Sequence, residues 1–300
     1  EKMKIGIDLG GSHVAVGIVE NGKIQKHLEK DIVEKRQIEN VLVEDILNLI
    51  KALLDNNKLE ENIEKIGISA PGIIHNDTIV KASNLNLYNF NLISKLKENY
   101  PKTEINIRND GKCAAVAEKK YGSMQNYSDC IFMNIGTGIG GAVFLNYKLL
   151  ETKRSTGFEI GHMVIQKDGK LCTCGKKGCF EAYCSIKALK NQVLEVLGKE
   201  ENITGKELWN LLKYNDKNEK IENLLDEYAE NLATGISNLI DIFEPEIICF
   251  GGSFIHYELW IMERLMKKLQ EPNRMFSRSK FPQMSMAVLK NEAGIIGAVE

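Results

Sequence analysis

The sequence predicts an α/β protein of two related lobes, because one design of β-hairpin occurs twice. The first hairpin covers residues 3–20 and turns at Gly10-Gly11. The second covers 130–146 and turns on the glycine-rich stretch 136–141. On both sides of each turn the apolar residues alternate, which is the pattern of half-buried strands. Asn21-Gly22 predicts a further turn into a third strand around Ile24.

The rest of the chain alternates between helical and strand patterns in both halves. Apolar residues three and four positions apart predict long core-facing helices over 38–55 and 219–243. Similar spacing predicts the shorter helices 92–99, 112–121, 185–198, 204–213, 256–270 and 293–299. Short apolar runs predict strands at 65–69, 105–108, 246–250 and 284–289, with a turn at 251–253.

Composition excludes several classes of protein. The chain has 300 residues, enough for one large or two moderate domains. A net charge of −2 offers no electrostatic footprint for nucleic acid. No apolar run is long enough to span a membrane, and the sequence opens on a strand pattern without a signal peptide. We therefore expect a cytoplasmic enzyme with neither membrane nor nucleic-acid partners.

The glycine turns carry the first candidate chemistry. Asp8, Gly10, Gly11 and Ser12 place a carboxylate, bare backbone amides and a hydroxyl on one tight loop. Such a loop can hold phosphate oxygens, and its carboxylate can reach Mg²⁺ directly or through water. Alternatively, the glycines only make a hairpin turn. Neither hairpin has the helix of a dinucleotide-binding motif after its glycines, and the Gly-Lys-[Ser/Thr] of a Walker loop is absent.

Two asparagine-containing segments also have two interpretations. Asp110 follows a predicted strand and precedes a predicted helix, where ligands dock in α/β sheets. It is therefore a candidate general base, although an ordinary helix N-cap is the alternative. The stretch 79–92 alternates asparagine with apolar residues. Asparagine suits a polyhydroxy ligand, but a plain polar loop is the interpretation that the residues alone favour.

Residues 157–181 predict a metal centre. His162, Cys172, Cys174 and Cys179 form a set of one imidazole and three thiolates, which closes the tetrahedral shell of a structural Zn²⁺. Reduced thiols in a turn and a disulfide are the alternatives, and seven cysteines with no secretory signal argue against the disulfide. A catalytic zinc would need an open position that four ligands do not leave. Glu159 and Glu181 bracket the motif, so a bound zinc would also hold these two carboxylates in place.

Taken in order, these motifs resemble the ROK family of repressors and sugar kinases. The resemblance runs from about residue 4 to the C-terminus. It rests on Ile-Asp-Leu-Gly-Gly-Ser, Ala-Pro-Gly, Asn-Asp, Gly-Thr-Gly-Ile-Gly-Gly, Glu-Ile-Gly-His, Cys-x-Cys-Gly-x-x-Gly-Cys-x-Glu and Phe-Gly-Gly. It implies an actin-like, hexokinase-like two-lobe ATPase fold with a cleft between the lobes and a structural zinc loop. On this basis we expect a small lobe at 1–117, with 291–300 packing back onto it, and a large lobe at 118–290.

The resemblance also implies roles by position. The family transfers the ATP γ-phosphate to a hexose hydroxyl with Mg²⁺, and Asp110 matches its general base. The residues that resemble sugar ligands are Gly72, Asn84, Asn109, Asp110, Glu159, His162 and Glu181, with His162 also on zinc. The residues that resemble nucleotide ligands are Asp8, Gly10, Gly11, Ser12, Gly136, Thr137, Gly138, Gly251 and Gly252.

The sequence departs from the family pattern at three positions that bear on specificity. Lys112 replaces the second asparagine of Asn-Asp-Ala-Asn, Phe158 stands where glycine is usual, and His13 stands where lysine is frequent. The Asn84-Leu85 pair resembles glucokinases, so glucose phosphorylated at its 6-hydroxyl is the first expectation. N-acetylmannosamine, N-acetylglucosamine, fructose, allose and β-glucosides are the alternatives.

The same family includes sugar-responsive regulators. The sequence starts at the first glycine hairpin, so a DNA-binding domain is not expected, and Asp110 favours an enzyme over a catalytically inactive sugar sensor. The resemblance further implies a homodimer or a dimer of dimers.

Overall fold

The computed structural model describes residues 2–32, 38–54, 62–153, 158–200, 202–215, 217–272, 274–276 and 281–300. The chain divides into two units. Unit 1 comprises Glu1–Gln125, Glu151–Gly157 and Val288–Glu300, and unit 2 comprises Asn126–Leu150 and Phe158–Ala287.

The described residues form strands and helices in the following ranges. The strands are β1 (Met3–Leu9), β2 (His13–Glu20), β3 (Lys23–Asp31), β4 (Ile63–Ala70), β5 (Ile73–His75), β6 (Thr78–Ala82), β7 (Leu87–Phe90), β8 (Glu104–Asn109), β9 (Cys130–Ile135), β10 (Ile139–Leu145), β11 (Lys148–Leu149), β12 (Ile247–Gly251) and β13 (Gln283–Met286). The helices are α1 (Ile38–Leu53), α2 (Leu92–Lys97), α3 (Asp110–Tyr121), α4 (Phe180–Cys184), α5 (Ile186–Val196), α6 (Gly205–Tyr214), α7 (Glu219–Phe243), α8 (Glu258–Leu269) and α9 (Ala293–Ala298). None of the helices in these ranges is both long and apolar enough to cross a bilayer.

Unit 1 is built on a five-stranded sheet in the order β3-β2-β1-β4-β8. The hairpin strands β1 and β2 are antiparallel, while β1, β4 and β8 are parallel to one another. Ile5, Ile7 and Ile68 are fully buried in the sheet, and the apolar stripe of α1 is buried in the same core cluster. The C-terminal helix α9 packs on β1 and α3. The parallel strands therefore end together at one edge of this sheet.

Unit 2 repeats this topology. Its sheet has the order β11-β10-β9-β12-β13, with an antiparallel hairpin on one side and parallel strands on the other. The long helix α7 has one apolar face in the core of this unit, together with α4, α5, α6 and α8. Two sheets of equal order, each starting with a glycine hairpin, confirm the expectation of two related lobes.

The structure corrects the preferred interpretation of 79–92 as a polar loop. Residues 78–82 and 87–90 form β6 and β7 of a three-stranded sheet with β5. The asparagines alternate with Ile79, Leu87 and Phe90, which are buried, so the pattern belongs to strands with one buried face. Asn86 and Asn89 adopt φ of 54° and 51°, a left-handed conformation that asparagine tolerates better than most residues.

Some predicted boundaries also shift. Residues Gly252–Tyr257 form a 3-10 helix, so α8 starts at Glu258 rather than at 256. The last strand ends at Met286 rather than at 289, because the amides of Val288 and Leu289 bind a side chain. The acceptor is a carboxylate of α3.

That carboxylate belongs to Glu118, which is 0% exposed. Its Oε1 accepts hydrogen bonds from Val288 N at 2.8 Å and Leu289 N at 2.7 Å, and its Oε2 accepts one from Ser123 N at 2.9 Å. Unit 1 gives way to unit 2 after Gln125 and resumes at Val288. Within unit 1, Glu118 therefore holds two chain segments. One lies just before the chain leaves unit 1 after Gln125, and the other begins at Val288, where the last segment of unit 1 starts.

Candidate active site and metal centre

In unit 1 the candidate catalytic residues lie where the parallel strands end. Asp8 on β1 is in register with Ser69 on β4, and Ala70 is in register with Asn109 on β8. Ser69 Oγ donates a hydrogen bond of 2.6 Å to Asp8 Oδ1. The sequence alone does not single out Ser69, whose signal is its place at the end of a strand parallel to β1.

Asp110 is the first residue of α3, and Asn109, not Asp110, is the N-cap. The Asn109 side chain accepts from Gly111 N at 3.0 Å and from Lys112 N at 3.4 Å. Asp110 Oδ1 accepts from Gly111 N at 2.8 Å. The capping function is therefore met by Asn109, which leaves the half-buried Asp110 carboxylate available for chemistry.

Both carboxylates of this edge are harder to ionise than an exposed aspartate. Burial raises the pKa of Asp8, although the hydrogen bond from Ser69 and the nearby His13 lower it in part. Burial also raises the pKa of Asp110, and the charge of Asp8 adds to the increase. Like charges held close in a partly buried edge are suited to bind a cation between them.

Other predicted ligands of unit 1 lie near the ends of these strands. The Asn84 amide lies beside the Gly11 turn, since a Cβ on Gly11 would be 3.2 Å from Asn84 Nδ2. Asn109 Nδ2 donates to the carbonyl oxygen of Gly72 at 3.0 Å. Gly10 N donates to His13 O at 2.9 Å, and the His13 ring packs over Gly10. The structure thus brings the sugar and phosphate candidates of unit 1 to the same edge, next to the exposed Ser12.

In unit 2 the four predicted metal ligands converge. His162, Cys172, Cys174 and Cys179 each offer a ligand atom, and these atoms lie within 4.8 Å of one another. Cys174 Sγ is 3.7 Å from Cys179 Sγ, and His162 Nδ1 is 3.7 Å from Cys172 Sγ. Zn–S bonds of about 2.3 Å in a tetrahedron place two sulfurs about 3.8 Å apart, so the donor set and its spacing fit zinc. All seven cysteines are free thiols, so the disulfide alternative is not realised.

Replacing Cys174 by serine should remove the metal. Cys174 is the exposed member of the set, so its substitution leaves the core untouched, whereas a hydroxyl is a poor substitute for a thiolate ligand. We expect zinc per chain, measured by elemental analysis after dialysis against a chelator, to fall from one to near zero. Cys184→Ala, at a buried cysteine outside the set, is the control and should keep its zinc. Full metal content in Cys174→Ser would remove this residue from the ligand set.

Glu181 lies between the metal centre and the second glycine turn. Its Oε2 accepts a hydrogen bond from Ile139 N at 2.9 Å, and its Oε1 is 3.9 Å from Cys172 Sγ. The sequence predicts Glu181 as a sugar ligand, and the contact with the turn is an addition that spacing alone does not reveal.

Glu159, by contrast, has an exposed side chain. It forms an inverse γ-turn, with φ of −76°, ψ of 68° and a 2.9 Å bond from Ile160 N to Phe158 O. Phe158 itself has φ of 64°, a left-handed conformation that explains why glycine suits this position. Its ring packs near that of Phe243, with the centroids 6.4 Å apart. Packing of the ring thus offsets a strained backbone just before the Glu159 carboxylate.

The remaining nucleotide candidates lie at the edge of the second sheet. Gly251 ends β12 in register with Asn134 on β9, and Gly252 follows with φ of 71°. The turn residues Gly136, Thr137 and Gly138 come directly after β9, and Ser253 Oγ is close to Gly136. The Gly251-Gly252 pair and the glycine turn therefore sit side by side in unit 2.

Two sheets of the same mixed order, each with a glycine hairpin and polar groups at its carboxyl edge, define the actin-like, hexokinase-like class of two-lobe α/β proteins. A ROK glucokinase from Streptomyces griseus, solved in complex with glucose and AMPPNP, has this fold. The alignment covers 99% of this chain and 98% of that one, with a TM-score of 0.78 and 24% identity. The chain belongs to the ROK family, whose profile matches residues 4–300.

Curated relatives extend this comparison to several named activities. A glucokinase from Thermotoga maritima is 29% identical over 83% of this chain and 81% of its own length. A β-glucoside kinase from Listeria monocytogenes is 31% identical over 99% of this chain and 96% of its own length. A xylose repressor from Bacillus subtilis and an N-acetylmannosamine kinase from Haemophilus influenzae are each 28% identical, over 91% and 98% of this chain and 70% and 93% of their own lengths.

Proposed function

We propose that this protein is an ATP-dependent hexose kinase with Asp110 as its general base and glucose, phosphorylated at the 6-hydroxyl, as the first-choice substrate. The observation that carries the proposal is the position of Asp110 and the groups around it. It lies at the carboxyl edge of a parallel sheet, half-buried beside Asp8, and Asn109 relieves it of the capping function. Similarity to kinases of glucose and β-glucosides supports the same class of reaction.

In the proposed reaction Asp110 takes the proton of the sugar hydroxyl as its oxygen bonds to the γ-phosphorus. The bond from the γ-phosphorus to the oxygen shared with the β-phosphate breaks, and ADP leaves. A raised pKa makes the ionised form of Asp110 a stronger base than an exposed aspartate. Asp8 would hold Mg²⁺ directly or through water, and the ion, when bound, neutralises charge on the transferred phosphoryl group.

We assign candidate sugar ligands within each unit. Asn84, Asn109 and the Gly72 segment provide amide and carbonyl groups in unit 1, and Glu159, His162 and Glu181 provide carboxylates and an imidazole in unit 2. The Nδ1 of His162 faces the cysteine sulfurs. With Nδ1 on zinc, the proton is on Nε2, which can donate to a sugar hydroxyl in an orientation that the metal fixes.

The phosphates of ATP are assigned to the two glycine turns, Gly10–Ser12 and Gly136–Gly138, and the adenosine to Gly251-Gly252. Backbone amides in such turns carry partial positive charge without a side chain in the way, which suits close approach by phosphate oxygens. The alternative is a non-catalytic, sugar-sensing regulator, which similarity to xylose repressors supports. Because a sensor has no need of a general base, Asp110 favours the kinase.

The first experiment is a coupled ADP-release assay with Mg-ATP. The sugars are glucose, mannose, fructose, allose, N-acetylglucosamine, N-acetylmannosamine and a β-glucoside. We expect kcat/KM to be highest for glucose. A preference for another sugar would keep the kinase and move the specificity argument to Lys112 and Phe158. Sugar binding by calorimetry without ADP release from any of them would favour the regulator.

A further inference from the structure

The carboxylate of Glu181 contacts the backbone of the second glycine turn rather than pointing only at a sugar. Glu181 is the second residue of α4 and follows the metal ligand Cys179 by two positions. Its Oε2 accepts from Ile139 N at 2.9 Å. A Cβ on Gly138 would collide with the same oxygen, so the carboxylate fits against the peptide of the turn only because residue 138 is a glycine.

Further contacts join the metal loop and its helices to this hairpin. Ile186 N, at the start of α5, donates to Gly136 O at 2.8 Å. Gly161, next to the metal ligand His162, packs directly on the carbonyl oxygen of Ile139. The other oxygen of Glu181, Oε1, lies 3.9 Å from Cys172 Sγ. The turn is thus held from the side of the metal centre, and Glu181 is the side chain that reaches both.

These bonds also determine which amides are left for a ligand. Ile139 N–H is taken by Glu181, and Gly136 N–H is taken by the carbonyl of Gly138 at 2.8 Å. The amides of Thr137 and Gly138 are then the ones that can point at phosphate oxygens. Because a turn that is already held loses less conformational freedom when it binds, a fixed turn binds phosphate more tightly than a loose one.

We propose that Glu181 is a positioning residue for the nucleotide: it holds the 136–138 turn in the conformation that binds phosphate and thereby links the metal loop to ATP affinity. The inference rests on the proposed function, in which this turn binds the ATP phosphates. It adds a role that a sugar ligand alone would not have, since a group that touches only the sugar leaves ATP binding unchanged when no sugar is present.

The test compares ATP binding and backbone protection in the zinc-loaded protein without sugar. Glu181→Ala should raise the Kd for Mg-ATP, measured by calorimetry, by about tenfold or more, because a charge-assisted hydrogen bond is lost. Hydrogen–deuterium exchange of the Ile139 amide should become faster at the same time. Glu181→Gln keeps an acceptor for this amide, so its ATP affinity and protection should stay close to wild type.

Asp168→Asn is the matched control, since Asp168 is an exposed carboxylate on the same metal loop with φ of 57°, a conformation that asparagine also tolerates. It should leave both ATP affinity and Ile139 exchange unchanged. Elemental analysis measures the zinc content of each variant. If Glu181→Ala loses metal, Glu181→Asp is tested in its place, because aspartate keeps the charge but is too short to reach Ile139 N. If the zinc-loaded variant binds ATP and exchanges its Ile139 amide as the wild type does, the positioning role of Glu181 is wrong while the proposed function still stands. A wild-type protein that binds no ATP would overturn the proposed function as well.

Discussion

Asp110→Asn is expected to lower kcat by about 10²–10⁴-fold, the contribution typical of a positioned general base. Asparagine is nearly isosteric and can still accept the hydrogen bond from Gly111 N, so the start of α3 should be preserved. What it loses is the ability to accept the hydroxyl proton. Steady-state kinetics with the preferred sugar measure the loss, and calorimetry should show that sugar binding is retained.

Asp77→Asn is a suitable control for this variant. Asp77 lies in the exposed turn between β5 and β6 with φ of 59°, a conformation that asparagine also tolerates. It removes the same charge at a position with no assigned role in binding or catalysis and should leave kcat within about twofold. Near-normal turnover by Asp110→Asn would remove this residue from the base role.

The pH dependence of the wild-type enzyme follows from the same group. Burial, with the charge of Asp8, raises the pKa of Asp110 above the ordinary value of 3.8. The base is active when ionised, so kcat/KM should rise with pH through this raised pKa and then level. The acid limb of the profile should therefore lie at a higher pH than for an exposed aspartate, and Asp110→Asn should no longer show it.

Glu118→Ala is expected to cause the largest loss of stability. The substitution leaves the amides of Ser123, Val288 and Leu289 without their buried acceptor. Each unsatisfied group costs about 1–3 kcal/mol, so we expect the free energy of unfolding to fall by about 4 kcal/mol or more. Urea denaturation, followed by circular dichroism, measures the change.

Two further variants show whether the loss of stability comes from the hydrogen bonds of Glu118 or from the removal of any glutamate. Glu118→Gln keeps one oxygen acceptor but turns a donor towards one of the amides, so its loss should be intermediate. Glu195→Ala, at an exposed position of α5, should change stability by no more than about 0.5 kcal/mol. Stability equal to wild type in Glu118→Ala would show that other groups or water satisfy these amides.

The sequence predicts well the features that depend on residues close to one another in the chain or on a regular spacing. The two hairpins follow from alternation and glycine turns, and α7 follows from a periodic stripe that ends before Pro245. The metal ligands follow from cysteine spacing, because three of the four lie within eight positions. In each case the residues that meet in space are also close in sequence or share a strict period.

The features that the sequence did not predict depend on partners far along the chain. Nothing near Glu118 indicates that its acceptors serve amides 170 and 171 positions away. Ser69 reaches Asp8 only because β1 and β4 pair in parallel register. The asparagines of the 79–92 stretch favour a loop when the local sequence is taken alone, although Ile79, Leu87 and Phe90 are buried in strands of a sheet. The motif predicts Glu181 as a sugar ligand, whereas its hydrogen bond from Ile139 N depends on a residue 42 positions away.

The equal strand order of the two sheets is what duplication of one ancestral unit would leave behind. In that light the two halves differ in the connections between their strands. After β3 the chain leads on to α1, whereas the connection after β11 carries all four metal-ligand residues before the helices of unit 2 begin. The connection after β11 is a natural module for grafting between relatives with different substrates, provided that its metal-ligand residues and the glycine opposite Glu181 are transferred with it.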